Sequence, residues 1–281
     1  MDPVISPEEL LSIRDGVVLV DAQSGPDAAT RYAASHLAGA AHVDLDRDLA
    51  DVPADPAQGG RHPLPEIGQF ARVVGALGID PTSRVVVYDD KGGANAAARF
   101  WWMLRALGHE RVQVLDGGLA AAISAGLPVS TGREKKPAKP AYPAGPSWGL
   151  GVATADEVAQ AAQDRSRRVI DARDPFRYRG ESDPFDPRPG HVPGAINVPL
   201  ATNLGPDGRF LSADALAVAY RAQLGDRAPD QVIAHCGSGV TACHTLLAME
   251  RAGLHGAKLY VGSWSEWGRS ERPVATGSEP G

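Results

Sequence analysis

The chain has 281 residues, a formal net charge of −6 and 43% hydrophobic residues. That length suits two domains of ordinary size, each able to bury its own core. The acidic balance argues against nucleic acid as a partner, which demands a basic face, and no apolar stretch approaches the roughly 20 residues that span a bilayer.

The N-terminal MDPVISPEELLS carries acidic residues and no basic segment ahead of a long apolar run, so it does not read as a secretory signal. Two cysteines seven positions apart do not make a disulfide framework, and the expected setting is a reducing cytoplasm. Eight histidines lie without metal-ligand spacing, and neither CxxC nor HExxH occurs, so no metal site is expected.

In chain order, Val17-Val18-Leu19-Val20-Asp21 reads as a buried strand, followed by Tyr32 and the run His36-Leu37-Ala38-Gly39-Ala40. A second strand, Arg84-Val85-Val86-Val87-Tyr88-Asp89-Asp90, precedes a helical face made by Phe100, Met103, Leu104 and Leu107. The half closes on Leu115-Asp116-Gly117-Gly118-Leu119. Residues 130–151 are rich in Pro, Gly and Lys and lack apolar periodicity, which marks an extended, solvated linker.

The same order then returns about 150 residues later. Arg168-Val169-Ile170-Asp171 answers the first strand, His191-Val192-Pro193-Gly194-Ala195 the histidine run, and Gln231-Val232-Ile233-Ala234-His235-Cys236 the second strand. Tyr260-Val261-Gly262-Ser263-Trp264 answers the closing glycine turn. Strands alternating with helices imply βαβ units, and so an α/β fold with parallel sheets covered on both faces. The expected division is a first domain over 1–130, a linker over 131–151 and a second domain over 152–281. The paired histidines His36 and His191 point to a hydrogen bond common to both copies rather than to catalysis.

The chemistry concentrates at Cys236. An apolar strand runs into it, the small loop Gly237-Ser238-Gly239 follows, and a helix begins with Val240, Cys243, Leu246 and Leu247 on its inner face. Open α/β sheets bind ligands at the carboxyl ends of their strands. Loop amides backed by a helix N-terminus stabilise an anion, and a thiolate is the nucleophilic form of cysteine. Cysteine phosphatases need Arg six places after their cysteine, and that place holds Ala242 here, so a phosphate dianion lacks its cation. In the register drawn from the sequence, Asp90 occupies the first-half place of Cys236; a carboxylate cannot do the work of a thiolate, so the first half should be a silent copy.

The stretch Cys236-Gly237-Ser238-Gly239-Val240-Thr241-Ala242 resembles the active-site loop of the 3-mercaptopyruvate branch of the rhodanese sulfurtransferases. Thiosulfate-using members usually carry basic residues where this chain has Gly237 and Ser238. The order of elements resembles a tandem rhodanese fold over nearly the whole chain.

That resemblance implies a Cys236 persulfide cradled by Gly237, Gly239, Val240 and Thr241. It implies substrate arginines at Arg177 and Arg188, with Arg173 and Arg179 as the neighbouring alternatives. It also implies a proton-moving set of Ser238, His62 and Asp46. The implied partners are a small sulfur donor (3-mercaptopyruvate, with thiosulfate as the alternative) and an acceptor that is cyanide or a thiol, thioredoxin among them. A persulfide relay serving a protein acceptor is a further alternative. Trp264, Trp267, His235 and Cys243 read as packing residues.

Overall fold

The computed structural model describes residues 1–281. The chain forms two compact units, and a single cut does not separate them. One comprises Met1–Asp51, Leu64–Gly149 and Pro206–Phe210; the other comprises Val52–Pro63, Leu150–Gly205 and Leu211–Gly281.

The first unit contains strands β1 (Val4–Ile5), β2 (Val17–Asp21), β3 (His36–Leu37), β4 (Ala41–His42), β5 (Arg84–Tyr88), β6 (Val112–Leu115) and β7 (Val129–Ser130). Five of them form one sheet in the order β1-β6-β5-β2-β4, all pairs parallel, while β3 and β7 pair antiparallel outside it. The central strand β5 is a run of valines buried on both faces, as a strand covered on both sides requires. The helix Ala96–Ala106 that follows it is buried at every position but Arg105. It needs no polar face because it sits inside the unit.

The second unit contains β8 (Val152–Ala153), β9 (Arg168–Asp171), β10 (Ile196–Asn197), β11 (Val232–His235) and β12 (Lys258–Tyr260), in the sheet order β10-β9-β11-β12-β8. Its pairs are again all parallel, and the order is that of the first sheet read from the other edge. The helix Ala155–Asp164 opens on a capping box. Thr154 Oγ1 accepts from the Glu157 N–H, and the Glu157 carboxylate accepts from the Thr154 N–H, satisfying two backbone donors. Trp264 and Trp267 are buried in this unit's core with Val158, Val169 and Ile233, as the sequence reading had them.

The two histidine runs fold alike. His36 stacks on Tyr32 at 4.1 Å, and its Nδ1 lies 2.8 Å from the Tyr32 carbonyl; His191 stacks on Tyr178 at 3.7 Å, with Nδ1 2.8 Å from the Tyr178 carbonyl. Both are buried.

The segment read as a solvated linker lies along the first unit. Lys139 N–H donates to the Gly75 carbonyl, Tyr142 N–H to Ala71 and Gly149 N–H to Ala106. A Cβ on Gly75 would overlap the Pro140 carbonyl, so glycine is what lets the strap approach. Tyr142 is buried, with its hydroxyl 3.0 Å from His109 Nδ1. Composition signalled extension correctly, but not the backbone bonds that anchor it. No helix is long and apolar enough to cross a membrane.

Candidate active site

Cys236 follows β11, the middle strand of its sheet, and precedes the helix Ala242–Arg251. It is buried, and so is every loop residue except the half-buried Ser238 and Thr241. The turn after β12 grips this loop. Ser263 Oγ accepts from the Cys236 N–H at 3.2 Å and donates to the Tyr260 carbonyl at 2.8 Å. Trp264 N–H donates to the Cys236 carbonyl, and Ser265 N–H to that of Gly237. Ser263 holds a left-handed φ of 52°, rare for a residue with a side chain.

Gly239 also has a positive φ, 75°, and a Cβ there would overlap the Val261 carbonyl. Both facts demand glycine. Gly239→Ala is expected to lower kcat/KM for the chemistry at Cys236 at least about tenfold, because the loop must shift to accept a methyl group. Steady-state assay beside a thermal melt checks this.

The strand pairing corrects the register between the copies. Asp21 pairs with Tyr88 in the first sheet, and Asp171 pairs with His235 in the second. Leu119 N–H donates to the Asp89 carbonyl just as Trp264 N–H donates to that of Cys236. The counterpart of Cys236 is therefore Asp89, one residue before Asp90. The Asp89 carboxylate is buried and accepts from the N–H groups of Lys91 (2.9 Å), Gly93 (2.7 Å), Asn95 (3.0 Å) and Ala97 (3.2 Å). Burial pushes this carboxyl up from its ordinary value, and the four amides pull against that. The silent loop thus shows within the same chain that this fold gathers amides around an acidic side chain at this place. Asp90 instead pairs with Arg31 at 3.1 Å, both partly exposed.

Beside Cys236 lies a network of arginines and aspartates. Arg173 donates to Asp171 at 2.6 and 3.0 Å, to Asp183 at 3.2 Å and to the Gly190 carbonyl, and it lies 4.5 Å from the Trp264 ring. Burial opposes the charge on Asp171, but Arg173 and His235 outweigh it, so the carboxyl lies below its ordinary value. Arg177, nearly buried, donates to Asp183 at 3.0 Å and lies 3.6 Å from Asp186. A Cβ built on Gly237 would lie 3.2 Å from Arg177 Nη2 and 3.2 Å from Arg61 Nη2. Arg61 is carried by the segment Val52–Pro63. Its N–H donates to Ser265 Oγ at 3.0 Å, and its guanidinium pairs with Asp186, which Arg269 also holds.

The expected arginines therefore separate. Arg177 faces the loop, whereas the Arg188 guanidinium donates to the carbonyls of Ser270 (2.6 Å) and Arg272 (3.2 Å). Through those carbonyls Arg188 braces the C-terminal segment, and Arg61 supplies a second guanidinium beside Gly237. Arg179 pairs with Glu181 on the surface.

Ser238 stands in the loop, and the half-buried His62 follows Arg61 in the same unit. Asp46 lies in the first unit, exposed, in the helix Leu45–Asp48. His235 is buried with Nδ1 3.2 Å from the Cys236 carbonyl, and burial holds its basicity below the ordinary value; it packs, as expected. The Cys243 thiol lies 3.4 Å from the Gly239 carbonyl. No grouping of three His, Cys, Asp or Glu side chains fits a metal ion.

The description "Rhodanese-like domain" matches residues 6–125 and again 154–270. The chain belongs to the rhodanese-like family. It is similar to a Pseudomonas aeruginosa protein named "Probable 3-mercaptopyruvate sulfurtransferase", 44% identical over 88% of this chain and 86% of that one. A Mycobacterium tuberculosis relative, 39% identical over 90% of this chain and 87% of its own length, bears a thiosulfate sulfurtransferase name. The solved 3-mercaptopyruvate sulfurtransferase of Leishmania major superposes with a TM-score of 0.81 at 30% identity, covering 94% of this chain and 73% of that one. The two rhodanese-like domains and their parallel sheets bear out the expected fold, and the chain is an enzyme of the sulfurtransferase class.

Proposed function

We propose that this chain transfers sulfur from 3-mercaptopyruvate, through a persulfide on Cys236, to a thiol or cyanide. The observation that carries the reading is the placement of Cys236: it ends the central strand in a small-residue loop, with the Arg177 guanidinium 3.2 Å from the Cβ position of Gly237. A guanidinium so placed offers two donors to a carboxylate, the group that sits next to the ketone in the donor.

The Cys236 thiolate attacks the donor's thiol sulfur. The carbon–sulfur bond breaks, its electron pair passes into the enolate of pyruvate, and Cys236 keeps the sulfur as a persulfide. The enolate takes up a proton to become pyruvate. His62 is suited to deliver that proton, with Ser238 of the same unit as its partner; Asp46→Ala, compared with His62→Ala in a pH profile of kcat, tests whether that carboxylate takes part. The loop amides of Gly237, Gly239, Val240 and Thr241 hold the persulfide as the first unit's amides hold Asp89. An acceptor thiolate, such as that of thioredoxin, then attacks the outer sulfur and restores the Cys236 thiolate; cyanide leaves as thiocyanate. The cycle is covalent and ping-pong. Two free cysteines, both buried, suit a reducing cytoplasm.

Thiosulfate as donor is favoured by one observation, the name borne by the M. tuberculosis relative. Steady-state assays with each donor and cyanide decide between them. The expected kcat/KM favours 3-mercaptopyruvate by about tenfold or more, since the loop presents Gly237 and Ser238 rather than cations. A ratio favouring thiosulfate would overturn the donor, and turnover with neither would leave persulfide relay as the activity.

A further inference from the structure

Arg61 is a feature that the mechanism above leaves without a task. It lies 125 residues from Asp186 and 204 from Ser265 in sequence, yet it is fixed to both. Its backbone N–H is held by Ser265 Oγ, and the N–H of that same Ser265 donates to the Gly237 carbonyl. Two hydrogen bonds through one serine therefore tie the Arg61 backbone to the loop that carries Cys236.

At its other end the guanidinium rests on Asp186, with its Cζ 5.8 Å from the Phe185 ring; Arg177 lies 5.0 Å from the same ring. One exposed aromatic residue thus flanks two guanidinia that converge on Gly237. Long side chains lose rotamer freedom when they bind, and both of these have already lost it.

Charge points the same way. Around the loop stand four guanidinia, those of Arg61, Arg173, Arg177 and Arg269, against the three carboxylates of Asp171, Asp183 and Asp186. The Cys236 thiolate matches that excess of one positive charge, and the paired guanidinia stay in place as N–H donors for an arriving carboxylate. Arg188, the residue the sequence offered as second clamp, has its donors on backbone carbonyls.

We propose that Arg61 is the second donor-anchoring arginine of the site, binding the keto-acid head of the donor together with Arg177. This rests on the reading of the donor as 3-mercaptopyruvate. Arg61 acts on binding and orientation, so its loss should fall on KM more than on kcat.

The test compares Arg61→Ala, Arg61→Lys and Arg188→Ala with the unaltered chain. For Arg61→Ala the expected KM for 3-mercaptopyruvate rises about 10- to 100-fold while kcat stays within about threefold. Arg61→Lys should recover part of the loss, since lysine restores charge without the fork. Arg188→Ala should leave KM within about twofold. As a readout free of turnover, calorimetric titration of pyruvate into the Cys236→Ser chain should give an affinity that falls at least about tenfold when Arg61→Ala is added.

An unchanged KM and unchanged pyruvate affinity in Arg61→Ala would overturn the proposal, as would losses that track a lowered melting temperature. If the unaltered chain turns over no 3-mercaptopyruvate, the donor reading fails by itself. If the Cys236→Ser chain then also binds no pyruvate, the arginine clamp fails with it.

Discussion

Cys236→Ser abolishes sulfur transfer, with turnover expected to fall by at least about a thousandfold. The reason is chemical rather than steric. Serine is close to cysteine in size, and the groups around it remain: the Ser263 hydroxyl on its N–H and the Trp264 N–H on its carbonyl. What disappears is an atom that can form a sulfur–sulfur bond and release it again to an incoming thiolate. Mass spectrometry of the protein after exposure to donor, without acceptor, should show one added sulfur on the unaltered chain and none on the variant. Residual turnover above the uncatalysed rate in Cys236→Ser would place the chemistry elsewhere.

The second large effect belongs to the silent copy. Asp89→Ala removes the acceptor of four backbone N–H groups, in a loop where Asp89, Gly93 and Ala97 are buried and Lys91 is exposed. A buried donor left unpaired costs about 1–3 kcal/mol, and entering water relieves some of the four, so a loss of about 3–5 kcal/mol is expected. Chemical denaturation reads it directly. Asp90→Ala is the control next door. Its carboxylate meets a partly exposed arginine, a pairing worth about 1 kcal/mol at most, and it should leave both stability and turnover nearly intact. Equal stability losses in the two variants would refute the assignment of Asp89 as the anion of the first loop.

The contrast between these neighbours also shows what a sequence withholds. The run Val87-Tyr88-Asp89-Asp90 offers two aspartates, and apolar patterning cannot say which one is the first residue past the strand. Only the ladder decides it, through Asp21 opposite Tyr88 and Asp171 opposite His235. The strand, loop and helix around Cys236 were legible because each is local, set by apolar runs and by small residues within a few positions. The repeat was legible because its elements recur in one order.

Arg61 was not legible. Its site contacts join positions more than a hundred residues apart, and no periodicity marks such a pairing. The direction of the Arg188 guanidinium was no more legible: the residue stands in a segment crowded with arginines, where chain position says nothing of the direction a side chain takes. The strap over 131–149 was half legible. Composition marked it as extended, and the backbone bonds to Ala71, Gly75 and Ala106 lie beyond what composition encodes.

The exchange of segments between the units bears on descent. Val52–Pro63 comes from the first repeat yet packs in the second unit, and Pro206–Phe210 comes from the second repeat yet packs in the first, where the Phe210 N–H donates to Asp116. Two copies that began as interchangeable have become heirs to different parts of one enzyme. Arg61 and His62 travel with the repeat that has no cysteine, so a chain cut down to its second repeat would lack the guanidinium that Asp186 and Ser265 hold beside Gly237.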